Sequence, residues 1–113
     1  SQALKTDGKD HQKELMGKWG EPNSINIVIK NNKLYYVDEE ETYNPISKYN
    51  QYTYQINWVY DEQTLKMNPH LRNYKTCFAY DVKYKKLAFL KSCQTLEVRE
   101  LVPRKFNDGK LRG

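Results

Sequence analysis

Apolar and polar positions alternate over much of the chain with a period of two, which is the spacing of a half-buried strand. Between residues 49 and 60, YNQYTYQINWVY sets Tyr52, Tyr54, Ile56, Trp58 and Tyr60 on one face and Gln51, Thr53, Gln55 and Asn57 on the other. Upstream, SINIVIK alternates Ile25, Ile27 and Ile29 with polar neighbours, and KLYYVD follows after Asn31-Asn32. Asparagine tolerates positive φ, so this pair predicts a two-residue hairpin turn. HQKELMGKWG is long enough for one or two helical turns before Gly17, Gly20 and Pro22 interrupt it. DEEETYNPISKY reads as an acidic loop around Pro45, TLKM as a short strand after a turn at Asp61-Glu62, and MNPHLRN as a loop. CFAYDVKYKKLAFLKSC supplies two more strands and TLEVRELV a last one, ended by Pro103.

About seven or eight short strands with no helix of length predict an all-β fold. The expected form is a single small antiparallel barrel or two-layer sandwich with a short N-terminal helical turn. At 113 residues the chain makes one domain. Its expected limits are a flexible polar leader over 1–14, the β domain over 15–106, and a basic tail over 107–113. The polar leader begins without Met and reads either as the tether of an exported protein or as an arbitrary boundary.

The two cysteines, Cys77 and Cys93, fit one hairpin register. A turn centred near Lys85 sets Cys77 opposite Cys93, Tyr80 opposite Leu90 and Val82 opposite Ala88, with both cysteines on the face away from Phe78 and Tyr80. A disulfide there would contribute on the order of 3 kcal/mol in the chain-entropy account. It also implies an oxidising compartment such as the periplasm or cell envelope, with lipid anchoring of the leader as an open option. No apolar run approaches the roughly 20 residues of a membrane-spanning helix.

Composition changes the picture in two ways. Ten tyrosines among 113 residues mean that apolar surface is built from rings with polar tips. The net charge of +5 arises entirely after residue 60, where twelve Lys and Arg face six Asp and Glu, which suits an acidic partner or simple solubility.

Candidate chemistry is sparse. There is no phosphate-binding glycine loop, no nucleophile elbow and no Cys/His pattern of a metal site, so neither an enzyme nor a cofactor or metal is expected. Asp38, Glu39, Glu40 and Glu41 read as a solvated loop rather than a cation site. The aromatic face of Trp19, Tyr52, Tyr54 and Trp58 either fills the core or lines a ligand cavity. Tyr43, Tyr49 and Tyr84, with Lys83, Lys85 and Lys86 at the hairpin tip, are candidate surface contacts.

Gly17-Lys18-Trp19 ahead of the first long strand resembles the start of lipocalin-like small barrels, in which such a tryptophan plugs one end. The compact, cysteine-pinned pattern is also similar to small bacterial envelope lipoproteins. The resemblance implies an eight-stranded up-and-down barrel and binding without catalysis. The expected function is a non-enzymatic exported module of the bacterial envelope that binds another protein as inhibitor, immunity factor or assembly subunit, with a carrier of a small apolar ligand and a barrel for single-stranded nucleic acid as the alternatives.

Overall fold

The computed structural model describes residues 4–21, 27–37, 39 and 42–105. Among these, strands β1 (Gly17–Trp19), β2 (Ile27–Lys30), β3 (Lys33–Tyr36), β4 (Asn44–Lys48), β5 (Tyr54–Asn57), β6 (Lys75–Asp81), β7 (Lys86–Leu90), β8 (Val98–Val102) and β9 (Arg104–Lys105) form one antiparallel sheet. Each of β1 to β8 pairs with its neighbours in sequence, and β9 pairs with β1. β8 and β9 are one strand broken at Pro103, whose carbonyl accepts the Gly20 amide at 2.9 Å. The broken strand touches both edges of the meander, so eight strand segments make a nearly closed barrel with little free edge. Pro103 thus redirects the last strand rather than ending it.

Local chemistry explains most elements. The β2–β3 turn is the expected Asn31-Asn32 pair, with φ of 51° and 60°. It presents Ile27, Ile29 and Leu34 inward as buried residues, while Ile25 lies outside the described residues. Helix α1 (Gln12–Leu15) is the single N-terminal turn.

Three readings of the sequence are corrected. TLKM belongs to helix α2 (Glu62–Met67), because the Asp61 carboxylate accepts the Thr64 amide at 2.7 Å and caps it. The stretch read as a loop around Pro45 contains β4, whose first residues pair with β3 and whose last pair with β5. Pro45 falls near this changeover, a position a strand proline tolerates. The region read as helical turns before Gly17 and Gly20 includes β1, short but paired on both sides.

The cysteine hairpin forms in a different register. Phe78 pairs with Phe89, Ala79 with Ala88, Tyr80 with Leu87 and Asp81 with Lys86, three residues from the expected pairing. Its turn is set by Asp81, whose buried carboxylate accepts the Lys83 and Tyr84 amides at 3.0 and 2.8 Å, with Lys85 at φ 55°. An odd shift moves β7 side chains to the opposite face. Leu87 and Phe89 therefore point to the core, and Leu90 joins Cys77 and Ala79 outside it. Cys93 lies beyond β7, yet the Cys77–Cys93 disulfide forms, with Cα atoms 5.1 Å apart.

The main core gathers Leu15, Trp19, Ile27, Ile29, Leu34, Ile46, Tyr54, Ile56, Phe78, Tyr80, Leu87 and Val102. Tyr54 stacks on Phe78 with centroids 5.3 Å apart. A second cluster of Cys77, Ala79 and Leu90 sits on the outer face under Leu4 and Cys93. The described part of segment 1–14 lies over this face: the Lys5 carbonyl accepts the Val82 amide at 2.9 Å, and the Lys5 amide reaches Asp81. The segment 107–113 lies outside the described residues.

Candidate functional site

The two ends of the barrel differ. The turns β2–β3, β4–β5 and β6–β7 share one end with α1. There the His11 amide donates to the Tyr54 hydroxyl and the His11 ring lies 5.0 Å from that of Tyr80. A hollow of about 260 Å³ remains beside α1, between Leu15, Asn31, Ile46 and Tyr54.

Gly17, Trp19 and Arg104 lock α1 to the sheet. The Arg104 guanidinium lies over the Trp19 ring at 4.3 Å and donates to the Met16 carbonyl at 2.8 Å and to the Glu14 carbonyl. The Trp19 indole donates to the Leu15 carbonyl at 2.9 Å. Gly17 has φ of 129°, and a Cβ there would stand 2.6 Å from an Arg104 nitrogen. The backbone at this position favours glycine, and a Cβ would displace the guanidinium end of Arg104.

The opposite end carries a pocket of about 360 Å³, within the usual range for small-ligand sites. Trp19 reaches it from inside the barrel, and Tyr36, Trp58, Tyr60, Tyr74 and Phe89 form its aromatic walls. Trp58 is fixed by three contacts. Its indole donates to the Thr76 hydroxyl at 2.7 Å, its amide donates to the Tyr74 carbonyl at 3.1 Å, and its ring stacks on Tyr36 with centroids 6.1 Å apart. Burial, followed by the neighbouring Tyr60 and Glu39, raises the pKa of Tyr36. Burial, followed by Tyr74, raises that of Tyr60. Both phenols are therefore neutral at physiological pH and can donate hydrogen bonds into the pocket.

The charged rim comprises Glu21, Arg99 and Glu100. Between β7 and β8 the register jumps from Phe89–Glu100 to Leu90–Val98, leaving Arg99 as an extra residue. Such a bulge re-aims side chains. Here it brings consecutive residues to the same pocket and sets the Arg99 guanidinium 5.9 Å from the Phe89 ring centre.

Of the expected cavity residues, Trp19 and Trp58 meet at this pocket. Tyr54 is buried toward the α1 end, and Tyr52 is not on the inner face at all. β5 begins only at Tyr54, and the turn before it, in which Asn50 accepts the Tyr52 amide, puts the Tyr52 ring outside against Gly8. The expected surface residues are divided. Tyr43 precedes β4 and lies beside β3, where its ring is 6.3 Å from Tyr35 and 4.3 Å from the Lys33 ammonium. Tyr49, Lys83, Tyr84, Lys85 and Lys86 lie at the α1 end. In the acidic run only Glu39 is described, while Asp38, Glu40 and Glu41 lie outside the described residues.

Sequence reasoning missed Tyr36, Tyr74, Phe89 and Arg99 as site residues. Tyr36 carried the strand alternation that places it inward, whereas Phe89 turns inward only in the shifted hairpin register, and no sequence signal gave the bulge at Arg99. Comparison with known proteins finds no matching family model, no matching curated protein and no matching solved structure.

Proposed function

We propose that the protein is a non-enzymatic carrier that holds a small, flat, largely apolar ligand in the aromatic pocket at the end of the barrel opposite α1. The observation that carries this reading is the pocket itself: a built space of about 360 Å³ with a Tyr36–Trp58 stack for a wall and neutral phenols as donors. Such sites combine apolar area for affinity with few polar groups for orientation. The Cys77–Cys93 bond supports a home in an oxidising compartment such as the periplasm or cell envelope.

Titration with a panel of planar aromatic compounds, followed by tryptophan fluorescence, tests the proposal. A saturable change is expected in the native protein, and most of it should vanish in Trp58→Phe, which leaves only Trp19 to report. A flat response across the panel would overturn it.

Binding of a protein partner is the second reading, favoured by Val59, Met67, Tyr74 and Leu96, large apolar side chains exposed in segments that join the strands at the pocket end. A pocket indifferent to every small ligand in that titration would favour it. Single-stranded nucleic acid has less support. The lysine-rich tip and the aromatic pocket lie at opposite ends, which separates the stacking and phosphate contacts such a strand needs together.

A further inference from the structure

We infer that the ligand of this pocket bears a carboxylate, and that Arg99 is the residue that receives it. The inference rests on the carrier reading and names the chemical class of its ligand.

Arg99 is placed rather than merely present. It is the extra residue of the β7–β8 irregularity, so its direction comes from a local departure from the ladder. Bulges of this kind concentrate at barrel rims, where they re-aim side chains. Phe89, paired with Glu100 on the neighbouring strand, lies 5.9 Å beneath the guanidinium. A guanidinium over a ring face at the outer range of cation–π contact leaves N–H groups available for an acceptor. Among the described residues Arg99 makes no ion pair, whereas Arg72 reaches Glu62 at 3.8 Å and Arg104 is spent on the Glu14 and Met16 carbonyls. The Arg99 fork matches a carboxylate in two parallel hydrogen bonds. The aromatic walls would take the flat body of the same ligand, and the phenols of Tyr36 and Tyr60 are neutral donors rather than anions that would repel it.

Glu21 and Glu100 share the rim and oppose an anion. Glu21 is already engaged in an interaction of its own. Glu100 follows Arg99 directly and shares the rim, and an acidic neighbour there opposes anions that do not seat on the guanidinium. The rival outcome, in which the two glutamates make the site a receptor for organic cations, is an arm of the test.

Isothermal titration of the full chain with naphthalene-2-carboxylate, its neutral carboxamide and the corresponding naphthylmethylammonium distinguishes these cases. The carboxylate should bind at least about tenfold tighter than the amide, the scale of a charge-assisted pair. Arg99→Gln should lower carboxylate affinity at least about tenfold more than it lowers amide affinity, bringing the two ligands to a similar level. Arg99→Lys should recover only part of the difference, because it keeps the charge and loses the fork. Arg99 is exposed, so these variants are expected to fold, which their melting temperatures check. Equal affinity for carboxylate and amide, preference for the ammonium, or equal loss of carboxylate and amide in Arg99→Gln would overturn the inference and leave the pocket a ligand site. Failure of all three compounds to bind would overturn both.

Discussion

A single glycine shows how the barrel is tied together. Gly17 leaves room for the guanidinium of Arg104, which in turn covers Trp19 and holds two carbonyls near the end of α1. An alanine at 17 must adopt a φ that L-residues rarely take and must push Arg104 off its partners. Gly17→Ala is therefore expected to destabilise the protein by on the order of 2 kcal/mol. The two residues act as one unit, so the double variant Gly17→Ala/Arg104→Ala should lose less than the sum of the single losses. Chemical denaturation of the four proteins measures this, and simple additivity would show that Gly17 is needed for its backbone alone. In Gly17-x-Trp19 the glycine thus serves an arginine 87 positions away in the sequence.

At the scale of elements, helix α2 depends on one cap. The Asp61 carboxylate accepts the Thr64 amide at 2.7 Å, and this hydrogen bond lowers the Asp61 pKa. A lowered folded pKa means that the stabilisation is present above the unfolded value and is lost as pH falls through the folded one. Asp61→Ala should therefore speed amide exchange at Thr64 and the rest of the first turn of α2 near neutral pH. The difference from the native protein should shrink under acid. Equal exchange in both proteins at neutral pH would contradict the capping account. The same element marks where sequence reading failed. TLKM is too short for periodicity to separate strand from helix, and the deciding signal was the D-x-x-T cap, read as a turn. Long alternation was legible: β2, β3 and β5 and their inward faces follow from it, as does the Asn31-Asn32 turn. Hairpin register was not, because it rests on Asp81 folding back onto the Lys83 and Tyr84 amides, a contact with no periodic trace. The cysteines themselves misled the reading, since directly opposed positions are only one way to bring two Cα atoms to 5.1 Å.

The whole molecule is a barrel whose two ends have been put to different use. Closure by β8 and β9 around Pro103 lets a short chain bury a single core. The latch of Trp19, Arg104 and α1 secures one end, and the disulfide with Leu4 and Lys5 covers the outside of β6. The remaining end carries the aromatic pocket, the Arg99 bulge and the exposed apolar residues between strands. Of the candidate site, only the two tryptophans were legible, Trp58 from strand alternation and Trp19 from its place after Gly17. The rest came together only when β3, β6, β7 and β8 converged, since Tyr36, Tyr74, Phe89 and Arg99 are distant in sequence and share no motif. The most direct test of the central claim is a two-dimensional amide and indole NMR spectrum recorded during titration with naphthalene-2-carboxylate. The account predicts that the indole signal of Trp58 and the amides of Thr76, Phe89 and Arg99 shift together and saturate, while those of Lys83, Tyr84 and Lys85 at the far end stay in place. Shifts confined to the lysine-rich turn, or none at all, would contradict it.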